Sequence, residues 1–135
     1  MKRVKILING IPSSGKSTIA YKLHLALEHL GHETVLLDDE VIKRLDTNKI
    51  NNLVAYLESP ISIIATCDPA VEADLKFWVN TPLKECKRRN TIKLKKEKAP
   101  AKGSFDCWEG YYSPGIKIKS YANLLCVLNK KNWNR

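Results

Sequence analysis

Gly10, Gly15, Lys16 and Ser17 are the residues of this chain whose types and spacing speak most directly of chemistry. They stand in Gly10-Ile11-Pro12-Ser13-Ser14-Gly15-Lys16-Ser17-Thr18, with the spacing of a phosphate-binding loop. Glycines let the backbone curl around a polyphosphate and turn successive N–H groups toward its oxygens. Lys16 offers a compact positive charge to β- and γ-phosphates, and the Ser17 hydroxyl is an oxygen ligand suited to Mg²⁺. A helix starting here adds the positive end of its dipole. The chemistry these residues suit is the binding of a nucleotide's polyphosphate with Mg²⁺.

Two further groups can act on a bound triphosphate. Asp38, Asp39 and Glu40 directly follow an apolar run. A carboxylate there either holds Mg²⁺ through water or accepts the proton of an attacking hydroxyl. Alternatively, Asp38 or Asp39 caps a helix and does nothing more. The segment 84–98 carries Lys84, Lys87, Arg88, Arg89, Lys93, Lys95, Lys96 and Lys98. Most such charges form a solvated face. A lid that excludes water and offsets phosphate charge would use Arg89 and one or two lysines. Beyond it, Phe105, Trp108, Tyr111 and Tyr112 form either a small satellite core or a platform for a flat base.

Placing these groups requires strands and helices in alternation. Val4-Lys5-Ile6-Leu7-Ile8 suits a buried strand over 3–8. Ile19, Leu23, Ala26, Leu27 and Leu30 recur at helical spacing, so a helix is expected over 16–30, stopped by Gly31. A strand at 33–37 leads into the acidic cluster and a short helix through Leu45. A helix at 49–58 ends at Ser59-Pro60. Strands follow at 61–65 and 76–80, then a helix over 83–98 with Pro82 in its first turn. The tail, 117–135, fits either a last strand or a helix. The expected fold is α/β: a three-layer α/β/α P-loop NTPase fold, one domain over 1–135, with a parallel sheet of about four to five strands and a short basic lid at about 91–116. Ligands of such sheets sit beyond the C-terminal ends of the strands. Residues 9–17, 38–40 and 66–69 all fall on that rim.

In this order the segments resemble the adenylylsulfate kinase family. Gly10 to Thr18 matches its phosphate loop, and Leu36-Leu37-Asp38-Asp39-Glu40-Val41-Ile42-Lys43 is similar to its Leu-Leu-Asp-Gly-Asp-Asn-Ile/Val-Arg. Val79-Asn80-Thr81-Pro82-Leu83-Lys84-Glu85-Cys86-Lys87-Arg88-Arg89-Asn90 is similar to its Val-Asp-Thr/Ala-Pro-Leu-Glu-x-Cys-x-x-Arg-Asp. The resemblance covers about half the chain. It implies transfer of the γ-phosphate of ATP to the 3′-hydroxyl of adenylylsulfate, with ATP and Mg²⁺ as cofactors. Gly10 through Thr18 would grip ATP, and Arg89 would contact it from the lid. Lys16, Asp38 and Glu40 would be catalytic, with Ser17 and Asp38 at the metal. Asp38, Glu40, Lys43, Lys95 and Phe105 would face the acceptor. Asp39, Glu40, Val41 and Lys43 depart from the family's residues.

Composition bounds these readings. At 135 residues and 44% hydrophobic, the chain suits a single core. No apolar run is long enough to cross a bilayer, so no membrane partner is expected. Met1-Lys2-Arg3 leads straight into a strand and does not read as a signal peptide. Cys67, Cys86, Cys107 and Cys126 are scattered without a CxxC pair, as expected of reduced, half-buried thiols in a cytoplasmic protein. His24, His29 and His32 read as surface or packing residues. The net charge of +9 calls for an anionic partner. A nucleotide-like small molecule such as adenylylsulfate is favoured over nucleic acid, and a homodimer is compatible with the sequence. Two competing functions are a polynucleotide or nucleoside kinase and a nucleotide-binding module without turnover.

Overall fold

A computed structural model of the protein describes residues 3–42, 45–67, 70–96 and 115–130. Its strands are β1 (Val4–Asn9), β2 (Thr34–Leu37), β3 (Ile61–Thr66), β4 (Leu75–Val79) and β5 (Ile116–Ile118). Its helices are α1 (Lys16–His29), α2 (Asp39–Ile42), α3 (Thr47–Tyr56), α4 (Leu83–Lys96) and α5 (Tyr121–Lys130). Every strand pairing is parallel, in the order β2-β3-β1-β4-β5. β1 is therefore central, with β2 and β3 on one side and, after a crossover, β4 and β5 on the other. Such a switch point opens a crevice at the C-terminal ends of the strands.

Both sheet faces are covered, which explains why the strands are nearly continuous apolar runs. Ile6 and Ile8 of β1 point to one face and pack with Ile63, Phe77, Val79 and the helices α1 and α5. Leu7, between them, points to the other face, with Ile64, Leu37 and the buried Ile42, Ile50 and Val54 of α2 and α3. A smaller cluster of Ile11, Trp78 and Cys86, with Leu83, pins α4 to the loop after β1. These layers form the three-layer α/β fold of P-loop NTPases, with five strands among the described residues.

Element boundaries follow local chemistry. α1 ends in a Schellman arrangement: Gly31, at φ 89°, donates to Glu28 O, and His32 donates to Leu27 O. Leu30, expected on the apolar face, sits past the last turn and is exposed. α3 begins at Thr47, earlier than its apolar spacing suggests, because Asp46 Oδ1 accepts from the Lys49 N–H at 2.9 Å and caps it. The tail contains both a strand and a helix. Ile116–Ile118 joins β4, and Tyr121, Leu124 and Leu128 recur at helical spacing against the core. Of the basic lid expected at about 91–116, residues 97–114 lie outside the described residues. Of the cysteines, Cys67 is half-buried as expected, whereas Cys86 is buried in the α4 contact and Cys126 is exposed on α5. Among the described residues, no helix is long and apolar enough to cross a membrane.

Candidate nucleotide site

The turn from β1 into α1 carries two left-handed residues. Ser13 has φ 63° and Gly15 has φ 98°, both left-handed, so the chain curls between Ile11 and the helix. For serine such a conformation costs on the order of 1 kcal/mol, and it persists where the surroundings hold it. α1 has no side-chain cap and no acidic residue in its first turn. Its positive end is thus left for an anion. Ile11 anchors the loop from below, against Trp78 and Cys86. Asn9, buried at the end of β1, donates through Nδ2 to Thr66 O at 2.6 Å and ties β1 to β3 there.

Asp38 stands at the end of β2, two strands from the loop. Its carbonyl accepts from Val41 and Ile42 and starts α2. Its Oδ1 accepts from Ser17 Oγ at 2.6 Å. The hydroxyl expected to hold Mg²⁺ therefore touches the carboxylate expected to do so. Mg²⁺ prefers oxygen ligands, commonly one or two from protein beside those of phosphates, and this pair fits it.

The cleft over the loop measures about 780 Å³. Residues 12–19 form one wall, with Asp38 and Cys67 at the strand ends. Thr81, Arg89, Asn90 and Lys93 close a second side, and Lys119, Ser120 and Tyr121 a third. Its lining is cationic: Lys16, Lys22, Arg89, Lys93 and Lys119 face it alongside Asp38. Lys16 is only 5% exposed. Ser14 Oγ, also in the lining, is buried and has no hydrogen-bond partner among the described residues.

α4 grips the loop from outside. Thr81 Oγ1 donates to Ser14 O at 2.6 Å, and Arg89 Nη1 donates to the same oxygen at 3.2 Å. Glu85 accepts from Arg89 Nε at 3.1 Å and from Nε and Nη2 of Arg88, at 2.9 and 2.5 Å. Hydrogen bonds from Arg88 are the main cause that holds the Glu85 carboxyl down at about 2, and the same pair raises Arg88. Burial pushes the Cys86 thiol up, against the pull of the Arg89 and Lys16 charges.

Comparison with known proteins comes in three parts. The family model of chromatin associated protein KTI12 matches residues 5–59, from β1 to just past α3. The bifunctional enzyme NodQ of Azospirillum brasilense is 31% identical over 109 aligned residues. That alignment takes in 60% of this chain, and the chain spans 18% of NodQ. The crystal structure of APE1195 superposes with a TM-score of 0.61 over 98% of this chain and 94% of that one, at 19% identity, and shares the fold. The match to the family model takes in the loop and Asp38, and the loop pattern with this sheet order is that of a P-loop nucleotide-binding fold.

The expected site residues fall in several places. Pro12 to Thr18, Asp38 and Arg89 come together in the cleft. Gly10 and Ile11 lie behind its wall. Glu40 falls in α2, two residues after Asp38. Lys95 is exposed on α4 and is not in the cleft lining, because it lies half a helical turn from Lys93. Lys43 and Phe105 lie outside the described residues. Lys22, Thr81, Lys93, Lys119 and Tyr121 line the cleft without having been singled out for it. Lys93, four residues after Arg89 on one helix face, was findable by spacing. Lys119 was not, because it follows a strand of only three residues.

Proposed function

We propose that the protein is an ATP-dependent phosphotransferase acting on an alcohol, with the 3′-hydroxyl of adenylylsulfate as acceptor. One observation carries the reading: the Ser17–Asp38 hydrogen bond at 2.6 Å, at the mouth of an anion-binding turn. It joins the phosphate grip to a carboxylate at a neighbouring strand end. The acceptor itself comes from the resemblance of the loop, the Asp38 segment and the β4–α4 segment to adenylylsulfate kinases.

In such a reaction the acceptor oxygen bonds to the γ-phosphorus as the bond to the β,γ-bridging oxygen breaks. ADP leaves, and the acceptor's proton goes to a carboxylate. Mg²⁺ held by Ser17 and Asp38 would supply charge neutralisation on the phosphates. Lys16 and Arg89 add fixed positive charge where the transferring group gains negative charge. Asp38, with Glu40 two residues on, orients the acceptor hydroxyl and takes its proton. Lys119 to Tyr121 line the cleft as well, and the Tyr121 ring would offer a base a flat surface. Cys67, Cys86 and Cys126, as reduced cysteines, suit a reducing, cytoplasmic setting.

The test is phosphate transfer by purified protein from ATP–Mg²⁺ to adenylylsulfate. Asp38→Asn should slow transfer by about 100-fold or more while ATP affinity changes by a few-fold at most. Equal loss in both would assign Asp38 to binding alone. The extra lysines of the cleft, Lys22, Lys93 and Lys119, favour a second reading with a nucleic-acid acceptor. Transfer to a 5′-hydroxyl oligonucleotide, with none to adenylylsulfate, would establish it instead. ATP binding without transfer to either would leave a binding module.

A further inference from the structure

We propose that Glu85 is a positioning residue that aims Arg89 across the phosphate loop, so that the guanidinium meets a nucleotide's phosphates already oriented. The inference rests on the nucleotide-binding reading and names a residue that the family resemblance leaves open.

The argument begins with spacing. Glu85, Arg88 and Arg89 sit at i, i+3 and i+4 on α4 and share one helix face. Arg88 engages the carboxylate with two N–H groups, Nε on Oε2 and Nη2 on Oε1. This fork fixes the plane of the carboxylate. Held that way, Oε1 also accepts from Arg89 Nε. A guanidinium is rigid and planar, so fixing its Nε edge fixes where its Nη atoms point. Nη1 then falls on Ser14 O at 3.2 Å, with Ser13 O at 3.5 Å, on the wall of the cleft.

Charge supports the same assignment. A carboxylate beside a triphosphate site would repel the ligand. Here Arg88 offsets Glu85, and the triad of Glu85, Arg88 and Arg89 keeps one net positive charge, on the residue that lines the cleft. Arginine has a long, rotamer-rich stem, and ordering it on ligand binding costs entropy. Glu85 bears part of that cost before the nucleotide arrives.

The test is a double-mutant cycle on ATP–Mg²⁺ affinity, measured by calorimetry, with thermal melting followed in parallel. Glu85→Ala should raise Kd about three- to tenfold when Arg89 is present. In an Arg89→Ala background the same change should alter Kd by less than about twofold. Arg89→Lys, which keeps the charge but lacks the Nε edge, should remove the coupling as well. A merely structural Glu85 would lower melting and affinity alike in every background. Wild-type protein that binds ATP, with Kd unmoved by Glu85→Ala or moved equally with and without Arg89, overturns the assignment of Glu85 alone. Wild-type protein that binds no ATP overturns the nucleotide reading, and this inference with it.

Discussion

Ser14 shows how tightly the loop is packed from behind. Its carbonyl takes hydrogen bonds from Thr81 and Arg89, while its hydroxyl is buried without a partner among the described residues. A Cβ at Gly10 would lie 2.4 Å from that hydroxyl oxygen and 3.3 Å from Ser14 Cβ. Gly10→Ala should therefore displace the loop, destabilise the protein by about 1–3 kcal/mol and weaken ATP binding. Adding Ser14→Ala removes the clashing oxygen without removing a hydrogen bond, and should recover most of that stability. Urea denaturation of the two variants checks this; a Gly10→Ala protein as stable as its parent would show that Ser14 turns aside freely. Glu85 makes a separate prediction at the same scale. Its folded pKa of about 2 lies below the ordinary value of 4.5, so pairing stabilises the fold above pH about 4.5. That stabilisation is lost as pH falls from there through about 2. Carboxyl NMR should find a midpoint near 2 for Glu85, and an ordinary midpoint would mean the arginines release it in solution.

At the scale of elements, the edge of the sheet is the part most exposed to a single change. β5 has three residues and reaches β4 through Gly115, where a Cβ would lie 3.1 Å from Phe77 C and Trp78 N. Those atoms belong to a central backbone and cannot yield as a flexible side chain does. Gly115→Ala should push β5 outward, strain the bond from the Asn80 N–H to Ile118 O, and cost about 1–3 kcal/mol. Because Lys119 and Tyr121 follow β5 into the cleft, ATP affinity should fall too. Melting and binding measured together test this; unchanged values in both would mean that β5 slides without consequence. The same edge marks where sequence reading fails. β1, the loop and α1 were legible because their signals are local: an apolar run, fixed glycine spacing, a 3.6-residue period and Gly31 as a stop. β5 was ambiguous because three residues carry too little pattern, and a strand and a helix share the tail. Asp38 was legible as a candidate, but its contact with Ser17 depends on β2 lying two strands from β1. Glu85 was hidden for another reason. A charge on a basic helix is usually solvated, and only the approach of α4 to Ser14 distinguishes it.

For the whole molecule, the strand order turns distant segments into one site. The cleft draws on the loop after β1, on Asp38 after β2, on Cys67 after β3, on Thr81 and Arg89 after β4, and on Lys119 after β5. A ligand there bridges elements that otherwise meet mainly through the sheet, and an unfolded chain offers no such convergence. Binding to the folded state alone must then raise stability by mass action, by about 2.7 kcal/mol at a ligand concentration one hundred times Kd. For a domain of this size that corresponds to a rise in melting temperature of roughly 5–20 °C. ATP with Mg²⁺ should give a shift of that order, and Mg²⁺ removal with EDTA should shrink it, because Ser17 and Asp38 would lose the cation they share with the phosphates. Lys16→Ala should abolish most of the shift, since Lys16 is buried at the loop and faces the cleft. A scan at saturating ATP with no shift in the parent protein would refute a triphosphate site at this rim. A full shift in Lys16→Ala would instead move the binding energy to the cations of α4 and β5, and with it the centre of the site away from the loop.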